Sequence, residues 1–475
     1  YDDAQHTYGS VIATADRVRN AALQKLSWHI ATPPIEEGIP LIVFNPHAWS
    51  STVPAEIELG WFDRTPYILV DASGTPVETQ AVHSHTSLIG SIRLCFIANL
   101  PPLGYHTYRL VPGGAKILTQ DIKSRNTATE WENRWFRITF DAGSGCITGL
   151  YDKMNGCHVF NGPAARAVVI DDPSDTWSHG ISHYDQEVGD FSGEKITLLE
   201  QGTVKTTLRI SSIYGKSQLT QDFTLYNAIP RIDVRVTVDW HERFKVLKLC
   251  FPLNVSDPVA TYEIPYGHTV RPSHGDEEPA QSWVDVSGIH SELGVPYGLS
   301  LLNDGKYSFS SEGTELRLTV LRSPIYAHHQ PYEPDPEGIY TFMDQGLQTF
   351  TYALLPHTGT WKDAQTVQHA AEINQPAFII KETYHPWAHL PQTGALLSVI
   401  PENIVITAVK LAEDNDDLII RCFETQNIPV EARITIYGRT ESIAVYFAPC
   451  EIKTLRIPAD RFSPVKEDNL LESSE

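Results

Sequence analysis

The stretch that decides the fold is RIDVRVTVDW, residues 231–240. Ile232, Val234, Val236, Val238 and Trp240 fall on one side of a two-residue period, and Asp233, Arg235, Thr237 and Asp239 fall on the other. Successive side chains of a strand point to opposite faces, so the alternation predicts a strand with one face in a core. Residues 315–321, ELRLTVL, repeat the pattern. Residues 403–424, NIVITAVKLAEDNDDLIIRCFE, have the form of a hairpin: strand, acidic turn, strand.

Working outward, residues 41–49 (LIVFNPHAW) open a β-region that runs to about Pro112, with LPPLGYHTYRL at 100–110 as its last strand. Gly113, Gly114 and a polar stretch to about Thr129 read as a linker. A central β-region follows at 130–385 and a third at 390–462. The polar, acidic tail 463–475 is expected to fray. The first residues differ from all of this. Ala4, Tyr8, Val11, Ile12, Ala15, Val18, Ala22, Leu23 and Leu26 recur at helical spacing, and Asp2 and Asp3 favour a helix N-terminus. This amphipathic helix, within 1–30, has no partner stripe in the sequence, so its apolar face is expected to pack on residues outside the chain. The small β-domain is expected at 35–118.

A chain of 475 residues can form about two to four domains. Its 32 Pro, 30 Gly, 20 Tyr and 10 Trp suit turns and strands. With 36 basic against 58 acidic residues, the net charge of −22 repels a phosphate backbone and an anionic membrane alike. No apolar run is long enough to span a bilayer. Six scattered cysteines without a CxxC fit a reducing compartment, and the expected location is the cytoplasm.

Retaining glycosidases need two carboxyl groups about 5 Å apart. Two acid clusters occur, Asp171, Asp172 and Asp175, and Asp276, Glu277 and Glu278; on spacing alone they read as solvated loop acids. His83 with His85, the adjacent His328 and His329, and His241–Glu242 beside Asp239 lack the spacing of a metal site. Asn303–Gly305 and Asp152–Lys153 read as turns. Arg322 suits either a buried acid or a site.

Two loops carry more. Residues 175–190 (DTWSHGISHYDQEVGD) and 271–283 (RPSHGDEEPAQSW) combine indoles with polar groups. An aromatic face stacks on the apolar face of a pyranose while Asp, His and Gln grip its hydroxyls. The competing reading makes Trp177 and Trp283 caps of the core, with the acids in water.

Taken in order, six segments resemble one family: ENRWFRITFDAGSGCITGLYDK (132–153), RIDVRVTVDWHERFKVLKLCFPLN (231–254), YGHTVRPSHGDEEPAQSWVDV (266–286), YGLSLLNDGKY (297–307), LTVLRSPIY (318–326) and YALLPHTG (352–359). The family is glycoside hydrolase family 38, the retaining α-mannosidases, here the C-terminal β-domain half and nearest the bacterial and cytosolic type. The resemblance implies a mainly β fold: a large galactose-mutarotase-like β-sandwich flanked by two smaller β-sandwich domains, with one helix left over from a helical bundle. It implies hydrolysis of terminal α-linked mannose with retention, and a zinc ion in the full-length enzyme. The metal site and both catalytic carboxylates belong to a preceding domain, so this chain alone is expected to be inactive and to bind no metal. Its expected partners are α-mannosides and that catalytic domain, with homo-oligomerisation left open. The resemblance also puts Arg271, Glu278 and Gln281 at the entrance of the sugar site, with Trp177 and Tyr184 opposite. Loop 271–283 has the RPxH opening of many members and beyond it matches only some branches. Two rivals stand: an enzyme of the same family acting on another mannoside such as mannosylglycerate, and a stand-alone carbohydrate-binding β-protein.

Overall fold

In the computed structural model of the chain, the alternation at 231–240 becomes the strand Ile232–Trp240, whose five apolar side chains are fully buried. The structure describes residues 2–34, 38–61, 67–84, 91–113, 129–327, 335, 337–460 and 462–472. His85, His328, His329 and most of the 113–129 linker lie outside them.

Ile232–Trp240 sits mid-way in a nine-stranded sheet. Ser217–Tyr226 pairs with one of its edges and Gly346–Thr358 with the other, both antiparallel. A six-stranded sheet lies opposite, built around Arg166–Asp171, Lys245–Pro252 and Glu315–Arg322. Apolar faces of both sheets meet in one core that holds Val234, Phe251, Phe309 and Tyr352, with the Phe251 and Tyr352 rings 5.6 Å apart edge to face. Burying this many large side chains is what orders the sandwich, since each contributes about 1.5–3 kcal/mol on leaving water. Strands that alternate along their length bury one face, and two sheets packed face to face cover both such faces. The fold is therefore mainly β, a large sandwich flanked by smaller ones.

A separate apolar cluster joins Leu41, Val43, Phe96 and Leu110 in the N-terminal β-region. A third, around Ile420, Ile434 and Phe447, forms the C-terminal sandwich. The hairpin expected at 403–424 is Ile404–Leu411 paired with Leu418–Glu424. Two later strands return to the N-terminal region: Phe378–Lys381 pairs with Ile39–Phe44, and Thr393–Ala395 pairs with Gly104–Pro112.

Helix α1, Asp2–Ser27, forms as its periodicity predicts. Its last turn packs Leu23 and Leu26 against Ile30, Ile42 and Leu390, while Tyr8, Val11, Ile12 and Val18 are exposed. Helix α2, Thr366–Asn374, caps the large sandwich. One expectation is corrected. The acidic tail does not fray through residue 472: Lys466–Asp468 pairs with Ile452–Ile457, and the Glu472 carboxylate lies 2.7 Å from Arg421 and 3.1 Å from Lys410. The basic residues facing it are about 50 and 60 positions back, beyond the reach of local pattern.

Candidate carbohydrate site

The two composition-selected loops meet. His183 and Asp276 form an antiparallel bridge, the Glu277 amide donates to the Ser182 carbonyl at 2.8 Å, and Ser182 Oγ donates to Asp276 Oδ1 at 3.3 Å. The contact needs a glycine. Gly275 has φ +93°, and a Cβ there would lie 2.0 Å from His183 Cε1.

Each loop is fastened to the six-stranded sheet by a buried ion pair. Asp172 is fully buried, and Arg322 forks onto it, Nε to Oδ2 at 2.6 Å and Nη2 to Oδ1 at 3.0 Å. The same guanidinium donates to Ser178 Oγ and to the Asp175 carbonyl, both at 2.8 Å. A planar fork with five donors can hold a carboxylate and two loop acceptors at once; an ammonium could not. On the other loop, fully buried Lys248 contacts Glu277 Oε1 and donates to Ser310 Oγ at 3.0 Å. Glu277 Oε2 accepts from Ser308 at 2.6 Å and from Thr319 at 2.9 Å. Burial, reinforced by Arg317, pushes the Lys248 ammonium down to about 7, against the opposing pull of Cys250 and Glu315. The Tyr184 ring lies between the two cations, 5.5 Å from Arg322 and 5.8 Å from Lys248.

Between these anchors the chain turns sharply. Ser178 and His179 adopt φ of +60° and +40°, which side-chain-bearing residues resist by about 1 kcal/mol or more each. Arg322 on Ser178 and the buried Asp175 carboxylate, which accepts from the Trp177 amide at 2.8 Å and lies 3.0 Å from His179 Nε2, hold the turn. The consequence is that Trp177 stands 64% exposed at the loop's crest.

The five residues expected at the site separate accordingly. Trp177 and Tyr184 share one loop, the first outward, the second buried as packing beneath it. Arg271 pairs with Glu278 at 2.5 Å, with its guanidinium 5.6 Å from the Tyr262 ring. Gln281 is exposed and lines a different groove, which none of the other four touches. Trp283 is a core cap, its ring tilted against Trp361 at 5.0 Å; Trp177 is not. The reading of the acid clusters as solvated is overturned for Asp172, Asp175 and Glu277, because cations distant in sequence arrive beside the first and last and loop amides beside the second. Arg322 faces a buried acid. Sequence reasoning passed over Lys248, although a lone lysine inside the apolar strand Lys245–Pro252 was the available signal.

The acids here are engaged as anchors, so the arrangement offers an exposed indole and polar rim on a rigid base rather than a free carboxylate pair. His241 lies 3.0 Å from Asp239 at a strand end, and Glu242 accepts from the Lys216 amide and Ser217 hydroxyl across the neighbouring turn. Among the described residues no three His, Cys, Asp or Glu side chains group to hold a metal ion, and no helix is long and apolar enough to cross a membrane.

Comparison with known proteins places the chain among glycosyl hydrolase C-terminal domains. The model described as "Glycosyl hydrolases family 38 C-terminal domain" matches residues 131–337, and "Glycosyl hydrolases family 38 C-terminal beta sandwich domain" matches 403–442. The chain belongs to glycoside hydrolase family 38, within its C-terminal half. It is 29% identical to mouse alpha-mannosidase 2C1 over 357 residues, which cover 70% of this chain and 32% of the mouse protein. It is 34% identical to the human alpha-mannosidase 2C1 over 231 residues, 46% of this chain and 20% of that protein. The chain thus spans about a third or less of these relatives' lengths. A solved alpha-mannosidase from Enterococcus faecalis shares the fold with a TM-score of 0.73 at 16% identity, over 92% of this chain and 58% of that one.

Proposed function

We propose that this chain is the C-terminal part of an α-mannosidase that hydrolyses terminal α-linked mannose with retention, and that it supplies scaffold and sugar-site loops rather than the catalytic carboxylates. The observation that carries the reading is the junction of loops 175–190 and 271–283, each locked by a buried ion pair, with Trp177 held outward above them. Binding residues gather on loops fixed by a rigid base, and an exposed indole beside hydroxyl, imidazole and carboxylate groups suits a pyranose. The apolar residues left exposed along α1 support a catalytic part packed beside this one. In this reading the zinc belongs to that part, outside the residues described here. Six unpaired cysteines, five of them buried, favour the cytoplasm as its compartment.

The test is Trp177→Ala in the protein joined to its catalytic part. A lost stacking contact should lower kcat/KM for an aryl α-mannoside about tenfold while thermal stability stays nearly unchanged. Unchanged kinetics with a large loss of stability would refute the assignment.

A further inference from the structure

A groove of about 590 Å³ runs where the N-terminal β-region, the large sandwich, helix α2 and the C-terminal sandwich come together. Its volume falls within the range of small-molecule sites, about 300–1,000 Å³. Its chemistry sets it apart from the rest of the surface. The protein carries 94 charged residues and a net charge of −22, yet none of the described residues lining the groove is Asp, Glu, Lys or Arg.

Neutral polar groups gather there instead. Tyr307 is 60% exposed, and Gln281 and Gln375 are exposed; none of these side chains has a hydrogen-bond partner among the described residues. Asn374 uses its Nδ2 on the Asn303 and Ala370 carbonyls, both at 2.9 Å, which leaves its carbonyl oxygen open. Ile406 supplies an apolar patch, and the Trp49 indole, 4% exposed and stacked on His47 at 4.6 Å, is a buried part of the lining. The His47 ring is in turn held by the Gln375 carbonyl at 2.9 Å. Burial lowers the His47 pKa below 6.5, so the one imidazole in the lining is neutral near pH 7.

Open amide donors and acceptors beside the exposed Tyr307 phenol match vicinal hydroxyls and the apolar face of a sugar ring. The absence of a cation disfavours a phosphate or carboxylate ligand, and the overall negative charge repels one. We infer that this groove is a further binding site, for a neutral oligosaccharide, with Tyr307, Gln281, Asn374 and Gln375 as its contacts. It lies apart from Trp177, Arg271 and Glu278, and it stands or falls independently of the loop site.

The chain itself can be tested by saturation-transfer NMR and calorimetry with mannotriose, against mannose 6-phosphate as a charged probe. A solvent-open groove of this kind should bind mannotriose with a Kd on the order of 1 mM. Tyr307→Ala with Gln375→Ala should weaken it about tenfold at unchanged melting temperature. Trp177→Ala should leave it unchanged, and mannose 6-phosphate should bind more weakly. The inference is overturned by no saturable binding up to about 10 mM, by binding that the double variant leaves intact, by binding lost in Trp177→Ala, or by equal or tighter binding of the phosphate.

Discussion

Replacing Arg322 by methionine removes the cation from a carboxylate that has no route to water. Asp172 is fully buried, and without Arg322 the partner left to its carboxylate among the described residues is the Ser174 amide at 3.3 Å. Breaking a buried pair from one side costs about 3–5 kcal/mol, because the remaining charge is left uncompensated. The weak remaining hydrogen bond argues for the lower part of that range. The guanidinium's bonds to Ser178 Oγ and the Asp175 carbonyl are lost as well, at about 1 kcal/mol each. We therefore expect urea denaturation to show Arg322→Met less stable by about 5–6 kcal/mol. Adding Asp172→Asn should restore much of this, with a coupling energy of about 2 kcal/mol. Release of the strained turn should also speed chymotrypsin cleavage after Trp177 in the native protein. A loss below about 1 kcal/mol, the scale of an exposed pair, would refute the reasoning. So would strict additivity of the two substitutions.

Acid should weaken the fold before most carboxylates titrate. Burial lowers the pKa of His47, His106 and His268 from 6.5, so the unfolded chain binds more protons than the folded one as pH falls below 6.5. Stability should decline from that pH downward, with a further loss below 4.5 as Glu56 and Glu372 are protonated: burial alone would raise them, but Lys205 and Arg93 for the first, and His369 and Arg231 for the second, hold them down. A melting temperature that stays flat between pH 7 and 5.5 would contradict this. Thiol titration with an aromatic disulfide should detect Cys450 first. Cys157 is pushed up to about 11 by burial, and Cys250 and Cys422 to about 12 by the same cause. The other five, all buried, should react only after denaturation.

What sequence revealed was local and periodic. Ile232, Val234, Val236, Val238 and Trp240 announce their strand because a half-buried strand must alternate, and the 403–424 hairpin carries its own turn. Pairing partners were not legible: Ile232 faces Leu354, more than a hundred residues later, and alternation says nothing of which strand lies alongside. The loops were found by composition, since Trp177 and the RPxH segment stand out, but their role was only half readable. Asp172 looked like a solvated acid because its cation, Arg322, is 150 residues away. Tyr184 looked like a sugar contact and is buried beside Arg322 and Lys248. Helix α2 went unmarked: nine residues with Gln368 and Glu372 buried at an interface give no amphipathic stripe.

The central claim is a division of labour, with loops and scaffold here and catalytic carboxylates elsewhere. Its most direct test compares this chain alone with the same chain joined to the segment encoded ahead of Tyr1, both assayed on an aryl α-mannoside with zinc present. The account predicts no turnover above a protein-free control for the chain alone, and turnover with net retention of anomeric configuration for the joined protein. Hydrolysis by the chain alone would contradict it, as would inversion or inactivity in the joined protein.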